Sequence, residues 1–151
     1  MKSNLRVIVD KKCPDQDIHS FKGHDLAVRA GSKVEEYFLN ETSDLKNIPI
    51  YSCGSFEMAK IAFIKGYAGA LADQEIVLNQ IVKNNSNLYR FLGDSLMDVD
   101  LAIAFRKNDT SKYYKKINDA IKEMKKDGTL NKILKKYGYT IDTPKGESNN
   151  D

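Results

Sequence analysis

The feature that most constrains the fold is a short apolar run, Tyr-Ala-Gly-Ala-Leu-Ala, at residues 67–72 between Gly66 and Asp73. Six residues are far fewer than the roughly 20 that a membrane-spanning helix needs. A run of this length between turn residues is typical of a strand buried on both faces. Ser55 predicts the start of a helix before it, and a second helix is predicted from Glu75 to about Lys83 after it. A buried strand between two helices favours an α/β sheet covered on both faces.

A second unit of the same kind lies nearer the start of the chain. Residues 25–30 are apolar at alternate positions and end in Gly31-Ser32, which predicts a strand followed by a turn. Ser32 has Glu35 three residues later, which is the pattern of a capping box. We therefore predict a strand, a tight glycine turn and a helix that begins at Ser32.

The remaining pattern completes a mixed sheet of about five strands flanked by helices. Further strands are predicted at residues 5–9, 48–51, 88–92 and 99–105. From Thr110 or Ser111 onward the pattern is helical, with one helix that ends at Gly128 and a second that Thr129 caps. We expect these two C-terminal helices to pack at one end of the sheet.

Composition narrows the function classes. The 151 residues are enough for one domain, and 41% hydrophobic with 30% charged residues is typical of a globular protein. The chain starts without an apolar export segment or a cleavage site. Residues 106–136 hold 11 Lys or Arg against four acidic residues. We interpret this stripe as the solvated side of amphipathic helices, with nucleic-acid binding as the less favoured alternative.

No reactive or metal-binding constellation can be assembled. The sequence has no Ser/His/Asp grouping, no phosphate-binding loop and no metal-ligand spacing, so we predict no enzyme, no cofactor and no metal. Cys13 and Cys53 fit no metal or redox motif, and the sequence leaves open whether they pair. His19 and His24 lie in a polar segment, where a surface role is expected.

Four segments together resemble the solute-binding proteins of polar amino-acid uptake systems, family 3 type. The segments are residues 18–32 (IHSFKGHDLAVRAGS), the stretch from Tyr51-Ser52 to Asp73, residues 101–109 (LAIAFRKND), and residues 115–138. Each is individually unspecific, but all four occur in the family's order and at roughly its spacing. The resemblance covers about residues 7–139.

The resemblance implies the clamshell fold of type II periplasmic-binding proteins. It implies that residues 5–107 form the second, α/β ligand-binding lobe and that residues 108–139 form helices that pack on a first lobe. Residues 140–151 are expected to be a flexible tail. The family's first-lobe motif and its carboxylate-binding arginine do not occur in this sequence.

The resemblance also favours particular residues as ligand contacts. An α/β sheet binds ligands at the carboxyl ends of its strands, where both the Gly31 turn and Asp73 are expected. We predict that Gly31, Ser32 and Lys33 hold the carboxylate of a free amino acid and that Asp73 holds its ammonium. Arg29 and Gln74 are further candidates. Without the resemblance, Ser32 and Asp73 would be interpreted as ordinary helix caps.

The predicted function is therefore non-catalytic capture of an amino acid and its delivery to an ABC permease. The alternative of the same fold is the sensor domain of a membrane receptor. The full-length protein is expected in the periplasm or outside the cell, lipid-anchored or soluble. A lone second lobe would expose the apolar face of the C-terminal helices, so we also predict a homodimer through them or a swapped C-terminal segment. That face consists of Tyr113, Ile117, Ile121, Met124 and Ile133.

Overall fold

The computed structural model describes residues 2–21, 25–40, 44–45, 47–108 and 112–137. These residues fall into two compact units. One unit is Ser3–Asp100, and the other contains Lys2 and the chain from Leu101 onward.

The first unit is built on a mixed six-stranded sheet, which agrees with the predicted mixed sheet of about five strands. The strand order is β3-β2-β4-β1-β5, and β6 also pairs with β1. Strands β2, β3 and β4 run parallel, whereas β1 runs antiparallel to β4 and β5. The strands are β1 (Lys2–Asp10), β2 (Leu26–Arg29), β3 (Ile50–Cys53), β4 (Ala70–Gln74), β5 (Tyr89–Phe91) and β6 (Met97–Asp100).

Helices cover both faces of this sheet. The first cluster of buried side chains lies between the sheet and α1 and includes Leu26, Val28 and Phe38. The second lies under α2 and α3 and includes Ala27 and Leu71. The helices of the first unit are α1 (Lys33–Leu39), α2 (Phe56–Ile64) and α3 (Glu75–Asn84).

The predicted buried strand is β4, which lies between β2 and β1 in the sheet. Its residues from Ala70 to Asp73 are all buried. The strand starts three residues later than the apolar run, because the amides of Tyr67 and Ala68 still donate to the Ala62 carbonyl at the end of α2. Gly66, at φ +77°, makes the turn between them.

Two other strand predictions were wrong at their ends. β3 begins at Ile50 and not at Ile48, because Pro49 has no amide hydrogen to donate to a ladder. The last strand was predicted to run to Phe105 but ends at Asp100, and residues 101–106 have no regular structure. Asp100 is also the last residue of the first unit.

The second unit contains the two predicted C-terminal helices, α4 (Tyr113–Lys126) and α5 (Thr129–Lys136). Gly128, at φ +80°, is the N-cap of α5, so the prediction that Thr129 caps this helix was wrong. Thr129 is instead its first residue, and its amide donates to the Asp127 carboxylate at 2.8 Å. Thr110, Ser111 and the predicted tail at residues 140–151 lie outside the described residues.

The C-terminal helices bury little. None of the described residues of α4 is buried, and in α5 only Leu134 is. Of the predicted apolar face, Tyr113 and Ile133 are exposed, and Ile117, Ile121 and Met124 are half-buried. Among the described residues no helix combines the length and the apolar character needed to cross a membrane.

Candidate functional site

The candidate site lies at the carboxyl edge of the three parallel strands. The β2–β4 register pairs Ala27 with Leu71, so two residues further on Arg29 is level with Asp73. The register of β2 with β3 pairs Arg29 with Cys53. The turn after β2 and the end of β4 therefore share one edge, which is where open α/β sheets bind ligands.

The turn after β2 has the local geometry that the sequence predicts. Gly31 has a φ of +68°, which the absence of a Cβ makes accessible. The Ser32 hydroxyl accepts the Glu35 amide at 3.2 Å, which confirms Ser32 as the N-cap of α1. The Ser32 amide donates to the Arg29 carbonyl at 3.2 Å and closes the turn.

Glu35 departs from the predicted capping box. In such a box its carboxylate would accept the amide of the capping residue, Ser32. Here Oε2 accepts the amide of Gly31 at 2.7 Å, one residue earlier, and Oε1 accepts the hydroxyl of Ser52 on β3. The Ser52 hydroxyl and then the Gly31 amide lower the pKa of the Glu35 carboxyl. A charged group of the chain itself therefore lies on this turn.

Two amides of the turn remain available. Within the described part of the chain, the amides of Lys33 and Val34 donate to no acceptor. Such first-turn amides suit an anionic partner. The Lys33 ammonium is engaged elsewhere, since it pairs with Glu36 at 2.6 Å, and its side chain is largely exposed.

Asp73 is a buried carboxylate, only 4% exposed. Burial raises the pKa of its carboxyl, against the smaller lowering effects of the Gln74 amide and the Arg29 charge. The N-cap of α3 is Gln74, so Asp73 is not the cap of that helix. Its Oδ1 accepts the Gln74 amide at 2.7 Å.

The second oxygen of Asp73, Oδ2, is open. It accepts no hydrogen bond from any described residue. Among the described residues, only one fully buried side-chain polar atom lacks a partner, and it is the Nε of Arg6. Because Oδ2 also lacks a partner, it is not fully buried and reaches solvent. A carboxylate with one oxygen fixed and the other open can accept a hydrogen bond from a cationic donor.

A shallow depression of about 480 Å³ borders the Gly31 turn and runs along α1. Gly31 and Ser32 contribute to it. The other predicted contacts are not among its described lining residues, namely Arg29, Lys33, Asp73 and Gln74. The predicted contacts thus share an edge of the sheet without enclosing one cavity in this unit. The depression is lined by Gly31, Ser32, Glu35, Glu36, Leu39 and Asn40.

Of the other chemical candidates that the structure describes, Cys53 lies at this edge, as the last residue of β3. No cluster of three or more potential metal ligands occurs among the described residues. Cys13 is a half-buried free thiol and Cys53 a buried one, and burial raises the pKa of the Cys53 thiol. His19 contacts the exposed Asp44 at 3.6 Å, and His24 lies outside the described residues.

Sequence reasoning missed the part that Glu35 and Ser52 play in this site. The Ser-x-x-Glu pattern identified Glu35 only as a cap. The parallel pairing of β2 with β3, which sets Val28 opposite Ser52, was needed to bring the Ser52 hydroxyl to this turn. The signal that the sequence offered was a polar residue, Ser52, directly after the strand predicted at residues 48–51.

The comparisons with known proteins agree with this fold. The sequence profile of the bacterial extracellular solute-binding proteins, family 3, matches residues 7–140. The probable amino-acid-binding protein YxeM of Bacillus subtilis is 29% identical over 138 residues, which are 89% of this chain and 52% of that protein.

Two solved structures are similar over 91% of this chain. An ancestral arginine-binding protein bound to glutamine superposes with a TM-score of 0.75 at 26% identity over 60% of its own length. A substrate-binding protein of an ABC uptake transporter from Streptococcus pneumoniae, with bound histidine, gives a TM-score of 0.79 at 25% identity over 58% of its length. The chain thus spans little more than half the length of these relatives.

Proposed function

This chain belongs to the bacterial extracellular solute-binding proteins of family 3, and from that premise we propose that residues 5–107 form one lobe of an amino-acid-binding protein. The compact unit Ser3–Asp100 would be the body of that lobe. The similar proteins of known structure, one with bound glutamine and one with bound histidine, support a free amino acid as the ligand. The proposed activity is reversible binding without catalysis.

The observation that carries the proposal is the state of Asp73. A buried carboxylate with an open oxygen is costly unless it meets a cation, because burial alone disfavours its charge. An α-ammonium group supplies both the charge and the donors. Arg29 lowers the pKa of Asp73 and so keeps the carboxyl more readily ionised for that role. The backbone amide of Gln74 donates to Oδ1 of Asp73 and so holds that oxygen in place.

The carboxylate of the same ligand would lie on the turn at Gly31-Ser32-Lys33. Gly31 has open space where a Cβ would be, which allows close approach to the backbone. The free amides of Lys33 and Val34 are the proposed donors, and Ser32 fixes the turn. Because Glu35 already binds the Gly31 amide, the ligand carboxylate would have to lie beyond that amide or displace Glu35.

In the whole protein, a first lobe would close over this edge and an ABC permease would bind the closed form. The family description supports a location in the periplasm or outside the cell, and we propose a lipid-anchored or soluble form there. As in the sequence analysis, we propose that residues 5–107 form the ligand-binding lobe and that residues 108–139 form the helices that pack on the first lobe. The exposed apolar side chains of α4 and α5, such as Tyr113 and Ile133, would pack on that first lobe or, without it, on a second copy.

Calorimetric titration of the chain with each of the twenty amino acids tests the proposal. At least one amino acid should bind, weakly, because only half of the enclosing surface is present. Asp73→Asn should weaken that binding by about tenfold or more, since charged hydrogen bonds contribute about 1.5–3 kcal/mol. Asp98→Asn is the control, because Asp98 is an exposed aspartate of the same unit on β6. Equal affinity in the wild type and Asp73→Asn would contradict the assignment.

A further inference from the structure

Helix α2 presents an apolar face to solvent. Its buried side chains, Ala59, Ala62 and Phe63, cover the second core cluster. On the opposite side Met58, Ile61 and Ile64 are 57, 52 and 51% exposed. The three residues are spaced by three, so they form one continuous stripe along the helix. We call this stripe the α2 apolar face.

Single exposed hydrophobic residues are ordinary on a protein surface and need no explanation. A contiguous row of three on one helix is different, because clustered apolar surface marks an interaction site. The other side of α2 packs on the sheet, so the helix already contributes its share to the core through that side. The α2 apolar face is therefore not part of the core of this unit.

The arrangement of the face is symmetric about Ile61. Met58 and Ile64 lie three residues before and after it, and Glu57 and Lys65 lie four before and after it. When two copies of a helix pair antiparallel around a two-fold axis at Ile61, residues equally distant from Ile61 become level. Met58 of one copy is then level with Ile64 of the other, and Glu57 is level with Lys65.

The pairing of apolar with apolar residues and of acidic with basic residues is what an isologous interface requires. In such an interface the same surface patch of two copies makes the contact. The Glu57 side chain is 67% exposed, although it pairs with Lys60 on its own helix, so it can reach a second cation. Lys65 is exposed at the end of α2. An unrelated partner would have no need for opposite charges at equal distances from one central residue.

We propose that the α2 apolar face binds a second copy of this chain in an antiparallel, two-fold pair centred on Ile61. The pair buries Met58, Ile61 and Ile64 of both copies and sets each Glu57 against the Lys65 of the other. This interface consists of residues of α2 and its C-cap alone, and it does not depend on the proposed ligand.

Sedimentation equilibrium of the chain over a range of concentrations measures the pairing. Ile61→Glu should raise the dimer dissociation constant at least tenfold, since it places two carboxylates at the centre of the interface. Leu88→Glu is the matched control, because Leu88 is a 47% exposed leucine of the same unit outside α2. Ile133→Glu tests the competing pairing through α5. A chain that stays monomeric, or a dimer that Ile61→Glu leaves intact, overturns the proposal.

Charge reversal gives a second and independent test that leaves the apolar side chains in place. Glu57→Lys or Lys65→Glu alone puts like charges level across the interface and should raise the dissociation constant about threefold to tenfold. The double variant Glu57→Lys/Lys65→Glu restores opposite charges and should return to within about threefold of the wild type. Additive weakening in the double variant would overturn the antiparallel register.

Discussion

The carboxylate of Glu35 accepts the backbone amide of Gly31 at 2.7 Å, at the turn where a ligand carboxylate is proposed to bind. The same carboxylate accepts the hydroxyl of Ser52, so it is held there from two sides. The carboxylate of Glu35 and the carboxylate of a ligand bound at the same turn would repel each other. We therefore expect Glu35 to stabilise the turn and to weaken its affinity for an anion.

Glu35→Gln should strengthen ligand binding about threefold to tenfold, because it removes a negative charge near the proposed carboxylate position. Glutamine retains an oxygen that can accept the Gly31 amide, so the turn is expected to persist. Calorimetry of the two proteins measures the change. Asp98→Asn is the control, because Asp98 is an exposed acidic residue of the same unit on β6, outside the proposed site. Unchanged affinity in Glu35→Gln would place the ligand carboxylate away from Gly31.

The same substitution should lower the free energy of unfolding by about 1 kcal/mol at neutral pH, because charge-assisted hydrogen bonds are weakened. The Ser52 hydroxyl and the Gly31 amide lower the pKa of Glu35 in the folded chain. Its contribution is therefore complete above the pKa of the unfolded chain and is lost as the pH falls through the lower, folded value. Urea unfolding curves of wild type and Glu35→Gln should converge in acid.

A pair of helix caps separates stability from binding. The Ser32 hydroxyl accepts the Glu35 amide and the Ser55 hydroxyl accepts the Met58 amide, both at 3.2 Å. Ser32→Ala and Ser55→Ala should each lower the free energy of unfolding by about 1 kcal/mol, measured by urea denaturation. Only Ser32→Ala should also weaken amino-acid binding. Equal binding by both variants would leave Ser32 a cap and nothing more.

Two glycines allow a comparable separation for the backbone. Gly31 and Gly66 have φ angles of +68° and +77°, and an added Cβ would meet no atom within 4 Å at either position. Gly31→Ala and Gly66→Ala should each lower the free energy of unfolding by about 1 kcal/mol, which is the cost of a left-handed alanine. A ligand that approaches the Gly31 backbone would collide with the new methyl group, so Gly31→Ala alone should lose about tenfold in affinity by calorimetry. A loss of the same size in Gly66→Ala would point to a general effect on folding.

The elements that the sequence predicted well are those that local chemistry determines. Ser32 and Ser55 are the N-caps of α1 and α2, since a hydroxyl next to a first helical turn satisfies an amide within the same segment. The central position of β4 followed from its apolar composition, because only a strand covered on both faces can bury Ala70, Leu71 and Ala72 together.

The predictions failed where the outcome depends on distant parts of the chain. Residues 101–105 have strand-like composition, but β6 ends at Asp100 and the chain continues without a ladder. A strand needs a partner, and composition alone does not supply one. The bond between Ser52 and Glu35 joins elements 17 residues apart. The open oxygen of Asp73 likewise depends on the sheet and on α3 together.

Asp73 is expected to trade stability for binding. Burial raises the pKa of its carboxyl, so the folded chain holds this proton more tightly than the unfolded chain. Its effect on stability is therefore most favourable below the ordinary aspartate pKa and becomes a penalty as the pH rises through the raised value. Asp73→Asn should be more stable than wild type at neutral pH and equal to it in acid, since asparagine retains an oxygen for the Gln74 amide. Urea unfolding of both proteins at several pH values between acid and neutral measures how this difference in stability grows with pH.

Ligand binding should follow the opposite trend, because only the ionised form of Asp73 attracts an ammonium group. The affinity of the wild type should fall as the pH drops toward the raised pKa, at a higher pH than an ordinary exposed aspartate would require. Asp73→Asn should be about tenfold weaker at neutral pH and should show a flatter pH profile. Calorimetric titrations of both proteins over the same pH range measure these profiles. A stabilised Asp73→Asn that still binds as tightly as wild type would mean that the buried acid does not hold the ligand.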